Sequence, residues 1–285
     1  MSENRIFVPR VAAVHDLSCF GRCALTVIIP ALSALGAQVV PLPTALLSTH
    51  TGGFDDLYFR DLSEDMDQIS AHFDRLSLSF DAIYSGFLGS EGQIRKVSDF
   101  IDRFGGEIPV LVDPVMGDDG MLYSTYTKEL VEGMKQLCHK ANIITPNYTE
   151  ACFLTGTPYK NTSEMGQEEV LKHGETLLDG LLAFGAQKTV LTGLLSGDEI
   201  LTLGHSQAGR FCHREKRLHA GYPGTGDIFA SVLLGLLLAN KDFQTSVCLA
   251  SRFTALTMEK TMKCQSKVRE GVVLEACMRE LTELK

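Results

Sequence analysis

What this 285-residue chain lacks narrows its class before any motif is read. It has no block of basic residues and a formal charge of −9, which argues against nucleic acid as a partner. Its longest apolar run, Ile228 to Ala239, is too short to span a bilayer. The opening Met-Ser-Glu-Asn-Arg lacks the basic-then-apolar pattern of a signal peptide, so the expected compartment is the cytoplasm. Eight cysteines are scattered without a C-x-x-C pair; they offer no zinc-site spacing and read as reduced thiols. Two nucleotide motifs are missing as well. No G-x-x-x-x-G-K-[ST] occurs, so there is no Walker A loop. The G-x-G beginning at Gly224 has Phe229 where a dinucleotide fingerprint needs glycine, and no strand leads directly into it. No repeat, low-complexity tract or linker divides the chain, so one domain over 1–285 is expected.

What is present is a chain with 45% hydrophobic residues, long enough to bury a sizeable core. Short apolar runs read as buried strands at Val11–His15, Val39–Leu42, Asp81–Ser85, Val110–Asp113, Asn142–Thr145 and Thr189–Thr192. Helical spacing fills most of the gaps. Leu25, Ile28, Ile29, Leu32 and Leu35 lie on one stripe, and further helices are read near 61–76, 91–104, 126–139, 148–154 and 163–184. Two strand-like pieces, Glu199–Gly204 and Gly209–Arg214, predict a hairpin, and everything from Ile228 onward reads as helix. This alternation predicts an α/β fold: a mostly parallel sheet with helices on both faces and a small hairpin.

In such folds ligands bind beyond the carboxyl ends of the strands. The residues following each predicted strand are therefore the informative ones. They are Asp16 and Ser18, then Thr44, Ser48 and His50, then Gly86 and Gly89. Next come Asp113 and Asp118, then Asn147 and Glu150, and finally Thr192 with Gly193. Polar and small residues gather on one edge of the sheet. Gly221-Tyr222-Pro223-Gly224-Thr225-Gly226-Asp227 can join them, because it runs straight into an apolar helix. A glycine turn on a helix N-terminus aims unpaired N–H groups and positive dipole at one point, which suits an anion such as a phosphoryl group. Asp227 puts a carboxylate there that could take a proton from a hydroxyl, or could simply cap the helix. Phosphoryl transfer needs charge neutralisation and a base, and Asp113 with Glu150 offers oxygen ligands of the kind that suit Mg²⁺.

The same segments resemble a known family. Gly224-Thr225-Gly226-Asp227 is similar to the anion-hole and base motif of the ribokinase-like superfamily. Thr145-Pro146-Asn147-Tyr148-Thr149-Glu150-Ala151 resembles its T-P-N-x-x-E-A segment. Asp113-Pro114-Val115-Met116-Gly117-Asp118, with Pro41–Thr44 and Ser48–Gly52, resembles the pyridoxal kinase branch. The matches run in family order over about residues 11–240.

The resemblance implies an ATP-dependent kinase acting on the 5′-hydroxymethyl of pyridoxal, pyridoxine and pyridoxamine. Ser18, Thr44 and His50 would face the ring, and Asp227 would be the base, with Gly224, Thr225 and Gly226 on the γ-phosphate. Asp113, Asp118, Asn147, Glu150, Thr192 and Gly193 would serve ATP, with Asp113 and Glu150 toward Mg²⁺ and K⁺ near Asp113. It also implies a homodimer, and a flap over the substrate from Gly204 to Tyr222. The chain departs from the family at Asp16-Leu17-Ser18-Cys19-Phe20-Gly21-Arg22, where many members have S-x-x-x-x-G-x-V-G-N. Two other readings stay open: a hydroxymethylpyrimidine kinase, whose branch often has cysteine in place of Asp227, and a non-catalytic vitamer- or nucleotide-binding protein.

Single residues carry two readings each. His50 either meets the ring or holds loop backbone. Cys212, inside the expected flap, is either a thiol that adds to an aldehyde or a packing cysteine. Arg210, Arg214, Lys216 and Arg217 are either phosphate contacts or a solvated face.

Overall fold

The computed structural model describes residues 7–285; the opening segment, where no signal-peptide pattern was read, lies outside them. Eleven strands and nine α-helices are formed among the described residues. In chain order they are β1 (Arg10–Phe20), α1 (Leu25–Ala34), β2 (Gln38–Thr49), β3 (Phe59–Asp61), α2 (Ser63–Arg75), β4 (Ala82–Ser85) and α3 (Glu91–Phe104). There follow β5 (Val110–Val112), β6 (Gly117–Asp118), β7 (Met121–Leu122), α4 (Lys128–Cys138), β8 (Ile143–Ile144), α5 (Tyr148–Thr155) and α6 (Gln167–Leu182). Last come β9 (Lys188–Ser196), β10 (Glu199–Ser206), β11 (Gly209–Lys216), α7 (Thr225–Leu238), α8 (Phe243–Lys263) and α9 (Met278–Thr282).

Nine strands form one sheet in the order β11-β10-β9-β8-β5-β4-β1-β2-β3. The six from β9 to β2 are parallel; β3 at one end and β10–β11 at the other run antiparallel. Alternation along the strands sends side chains to two cores. Ala12, Val14 and Ile83 face the layer of α2 to α6, whereas Val11, Ala13 and Tyr84 face α1, α7, α8 and α9. The order reverses between β1 and β4, so a crevice opens at the carboxyl ends of those two strands.

Three expectations are corrected. Strands β1 and β2 run on to Phe20 and Thr49, through segments that read as loops. Their pairing continues past the sheet body, with Ser18 opposite Leu47 and Phe20 opposite Thr49. Pro41 and Pro43 look like breakers, but β3 pairs with β2 only at Ala45–Leu47, so at the prolines one side of β2 is a free edge. The expected hairpin forms, but β10 pairs with β9 along its length, so the hairpin extends the sheet and only residues 217–222 of the expected flap segment lie outside it. Cys212 therefore stands exposed on the edge strand β11, opposite Leu203. Finally, the chain after α8 is not all helix. Residues 264–277 hold two short 3₁₀ turns and return Gly271 to pair with Arg22 beside the crevice.

Candidate active site

Helix α7 begins at the crevice. Its N-cap, Gly224, has φ 86°, and a Cβ there would collide with the carbonyl oxygen of Arg22. Only glycine brings the turn this close to the end of β1. The first intrahelical bond is from Ile228 N–H to Gly224 C=O at 3.0 Å, so the amides of Thr225, Gly226 and Asp227 precede the helical ladder. Gly226 is exposed. The amides and the dipole of a helix rooted in the core make this a point suited to an anion.

Asp227, in that first turn, is half-buried, and its Oδ2 accepts the Ala24 N–H at 2.7 Å. Ala24 reaches it only because its φ is 48°, a conformation that no local sequence signal announces. Burial raises the Asp227 carboxyl to about 6, against the lowering effect of the Ala24 bond and with help from the charge of Asp16. Asp113, at the end of β5, is buried, and its Oδ1 accepts the Thr145 hydroxyl at 2.9 Å. A Cβ on Gly226 would lie 3.7 Å from its other oxygen, so Asp113 underlies the glycine turn. Burial, then the charge of Asp227, raises Asp113 to about 7. Two carboxyls thus lie under a concentration of N–H donors.

On the nucleotide side of the predicted site, Asn147 and Glu150 form a capping box on α5. Glu150 is buried; its Oε1 accepts Met116 N–H at 3.2 Å and its Oε2 accepts Asn147 N–H at 2.7 Å. Asn147 donates through Nδ2 to Gly117 C=O at 2.9 Å, fastening the β6–β7 hairpin to α5. Burial, and next the charge of Asp113, pushes the Glu150 carboxyl well above the usual range. Thr192 bridges to Asn147, donating its N–H to Pro146 C=O at 3.0 Å. Gly193 follows with φ 75°. A cleft of about 60 Å³ brings Asp118, Asn147 and Gly193 together, with Tyr159 also on its wall. Asp118 is exposed there.

On the opposite side of the crevice, Ser18 is buried and donates its hydroxyl to Asp16 Oδ2 at 2.9 Å. Thr44 is 1% exposed. It sits where the β1–β2 register slips, between the pairs His15–Pro43 and Leu17–Leu46. His50 is held on both ring nitrogens: Nδ1 accepts Gly52 N–H at 3.1 Å, so Nε2 carries the proton and donates it to Arg269 C=O at 2.6 Å. That is the backbone-holding reading of His50. Arg210 and Arg214 pair with Asp179 and Glu199, which engages two of the four basic residues considered for phosphate.

Several residues were not singled out from sequence. Ala24, the Arg22 carbonyl and residues 268–272 act through backbone, which carries no side-chain signature. Thr145, the hydroxyl partner of Asp113, lay inside a quoted motif but was given no role there. Gln93, buried against Thr44, had no sequence signal beyond its place in a helix. Among the described residues, no three His, Cys, Asp or Glu side chains form a ready-made metal cage.

A mostly parallel sheet between two helical layers, with a glycine turn and paired carboxyls at its reversal of strand order, defines the ribokinase-like class. The chain belongs to the phosphomethylpyrimidine kinase family, whose sequence pattern matches residues 25–271. Relatives carry vitamer names. The chain is 30% identical over 284 aligned residues to the pyridoxine/pyridoxal/pyridoxamine kinase of Bordetella avium (strain 197N), covering 93% of this chain and 90% of that one. Among solved structures it resembles pyridoxal kinase from Lactobacillus plantarum, at 31% identity and TM-score 0.88, covering 98% of each chain. It is also similar to a candidate phosphomethylpyrimidine kinase of Bacteroides thetaiotaomicron VPI-5482 crystallised with pyridoxal. There the identity is 38% and the TM-score 0.88, over 96% of both chains.

Proposed function

We propose that the protein is a pyridoxal kinase, moving the γ-phosphoryl group of ATP to the 5′-hydroxymethyl of pyridoxal, and likewise of pyridoxine and pyridoxamine. One observation carries this reading: the Asp227 carboxyl stands in the same helix turn as the free amides of Thr225 and Gly226. A base and an anion hole are thereby set side by side. Asp227 takes the hydroxyl proton as the substrate oxygen bonds to the γ-phosphorus. The bond from that phosphorus to the β-phosphate bridging oxygen breaks, and ADP leaves. The turn from Gly224 to Gly226 receives the charge on the transferring group. Ser18, held by Asp16, and Thr44 face the ring; His50 braces the loop beside them through its two backbone bonds. Asp118, Asn147, Thr192 and Gly193 line the approach of the triphosphate.

Mg²⁺ bound to the phosphates would supply charge neutralisation. The residues fit it: Asp113 keeps one carboxylate oxygen clear of its Thr145 bond, and burial raises both carboxyls, with the charge of Asp227 adding at Asp113 and that of Asp113 adding at Glu150, a strain that a cation relieves. Both Glu150 oxygens already accept backbone N–H groups, so Glu150 suits a metal-bound water. A monovalent cation such as K⁺ belongs near Asp113 in the same reading. The working unit is a homodimer. The compartment is the cytoplasm, in keeping with eight cysteines that are all unpaired.

The pyridoxal-bound Bacteroides relative and the Lactobacillus and Bordetella kinases support the pyridoxal ring as acceptor. The name of the matched family favours a second reading, phosphorylation of hydroxymethylpyrimidine. The test is ADP release from ATP–Mg²⁺ with pyridoxal, pyridoxine and hydroxymethylpyrimidine in parallel. Faster turnover of pyridoxal upholds the first reading, preference for the pyrimidine moves the protein to the second, and binding without turnover removes both.

A further inference from the structure

We infer that Gln93 is a positioning residue for the acceptor side of this site, fixing the irregular step in β2 that aims Thr44. The inference rests on the reading of Thr44 as a ring-facing residue. Gln93 lies in the first turn of α3 and is 1% exposed. Its amide is fully engaged. Oε1 accepts Gly89 N–H at 2.8 Å, while Nε2 donates to Thr44 C=O at 3.0 Å and to Asp61 Oδ2 at 3.0 Å. A carboxylate on one side and an N–H on the other fix which end of the amide is which.

The three partners come from three segments that meet at the crevice. Gly89 belongs to the loop after β4, which also carries Phe87; Asp61 closes β3; Thr44 lies in the middle of β2. Between the pairs His15–Pro43 and Leu17–Leu46, β1 advances two residues and β2 three. An extra residue in one strand bends it and turns a side chain to a new direction. Here the displaced Thr44 carbonyl accepts from Leu62 N–H at 3.0 Å as well as from Gln93. Gln93 is the side chain that holds the bulge against both the edge strand and the β4–α3 loop. Among the described residues its side-chain hydrogen bonds go to Gly89, Thr44 and Asp61 and not to Asp227 or the glycine turn, so its influence is expected on the acceptor and not on ATP.

The test compares wild type, Gln93→Glu, Gln93→Glu with Asp61→Asn, and Gln93→Leu in steady-state kinetics and thermal melting. The acceptor is whichever of pyridoxal, pyridoxine and hydroxymethylpyrimidine the wild type phosphorylates best. Failure of the pyridoxal reading thus shows in the wild type, and failure of the present inference shows in the variants. Gln93→Glu keeps the shape and the Gly89 acceptor but loses both donors. Acceptor KM is expected to rise about tenfold or more in each variant, with ATP KM within about twofold of wild type. Adding Asp61→Asn removes the carboxylate pair and should restore the melting temperature without restoring acceptor KM. A purely structural Gln93 would recover both together. An unchanged acceptor KM in folded Gln93→Glu, an equal rise for both substrates, or recovery of KM in the double variant would overturn the assignment.

Discussion

Asp227 is where chemistry and stability pull against each other. Its carboxyl is raised to about 6, first by burial. A carboxyl raised on folding contributes stability that is full below the ordinary carboxylate range and is lost as pH rises through about 6. At pH 8 the folded protein therefore holds a charge that it would shed if it could. Asp227→Asn keeps an oxygen for the Ala24 N–H and removes that charge. The variant should melt higher than wild type at pH 8, with the gap narrowing as pH falls through about 6 and closing only at the ordinary carboxylate range near 3.8, while turnover falls about 10²- to 10⁴-fold. Near-normal turnover would remove Asp227 from the role of base. The wild type makes a second expectation at the same residue. Only the ionised form accepts a proton, so kcat/KM for the acceptor should fall about tenfold per unit as pH drops below about 6. A flat profile from pH 7.5 to 5 would exclude this group as the titrating base. The identity of Asp227 was legible in Gly224–Asp227. Its tuning was not, because the Ala24 amide and the Asp16 charge reach it across 203 and 211 positions of sequence.

At the scale of elements, the proposed anion hole is a stack of backbone rather than a single loop. The Arg22 carbonyl is wedged between Gly224 and Gly271, both at positive φ, and a Cβ on Gly271 would come within 2.6 Å of it. Arg22 N–H donates to Glu270 C=O at 3.0 Å, and Val272 N–H donates to Pro223 C=O at 3.2 Å. The segment after α8 thus clamps the turn that opens α7. Gly224→Ala should cost about 1–2 kcal/mol from left-handed backbone alone, and more from the collision, with kcat falling at least tenfold. Gly271→Ala, 47 positions away, should lower kcat in the same direction with little change in acceptor KM. If Gly271→Ala changed melting temperature but not kcat, the clamp would be structural only. Elements with regular periodicity, such as α3 and the strand Ala82–Ser85, were legible from sequence. The paired extensions of β1 and β2 and the 264–277 segment were not. Their residues are stabilised by partners far along the chain, and their mixed polar composition has no period of its own.

At the scale of the molecule, the sheet's reversal between β1 and β4 concentrates ionisable groups where two helical layers part. His15 is a base buried at that reversal. It is 1% exposed, edge-on to the Tyr84 ring at 4.3 Å, and burial lowers its pKa to about 3. Gly86 leaves room for the ring, since a Cβ there would collide with it. A base whose pKa is depressed on folding contributes stability that is full above 6.5 and is lost as pH falls toward about 3. The carboxyls raised at the same strand ends titrate in the opposite sense, so the acid limb of the whole protein is a difference of two terms. His15→Leu isolates one of them. Its loss of stability between pH 6.5 and 4.5 should be shallower than that of wild type by up to about 1.4 kcal/mol per pH unit, whatever its stability at neutral pH. Denaturant unfolding at four pH values measures this directly. Parallel curves would mean that His15 gains a proton inside the folded protein, and that the crevice floor admits water as deep as β1.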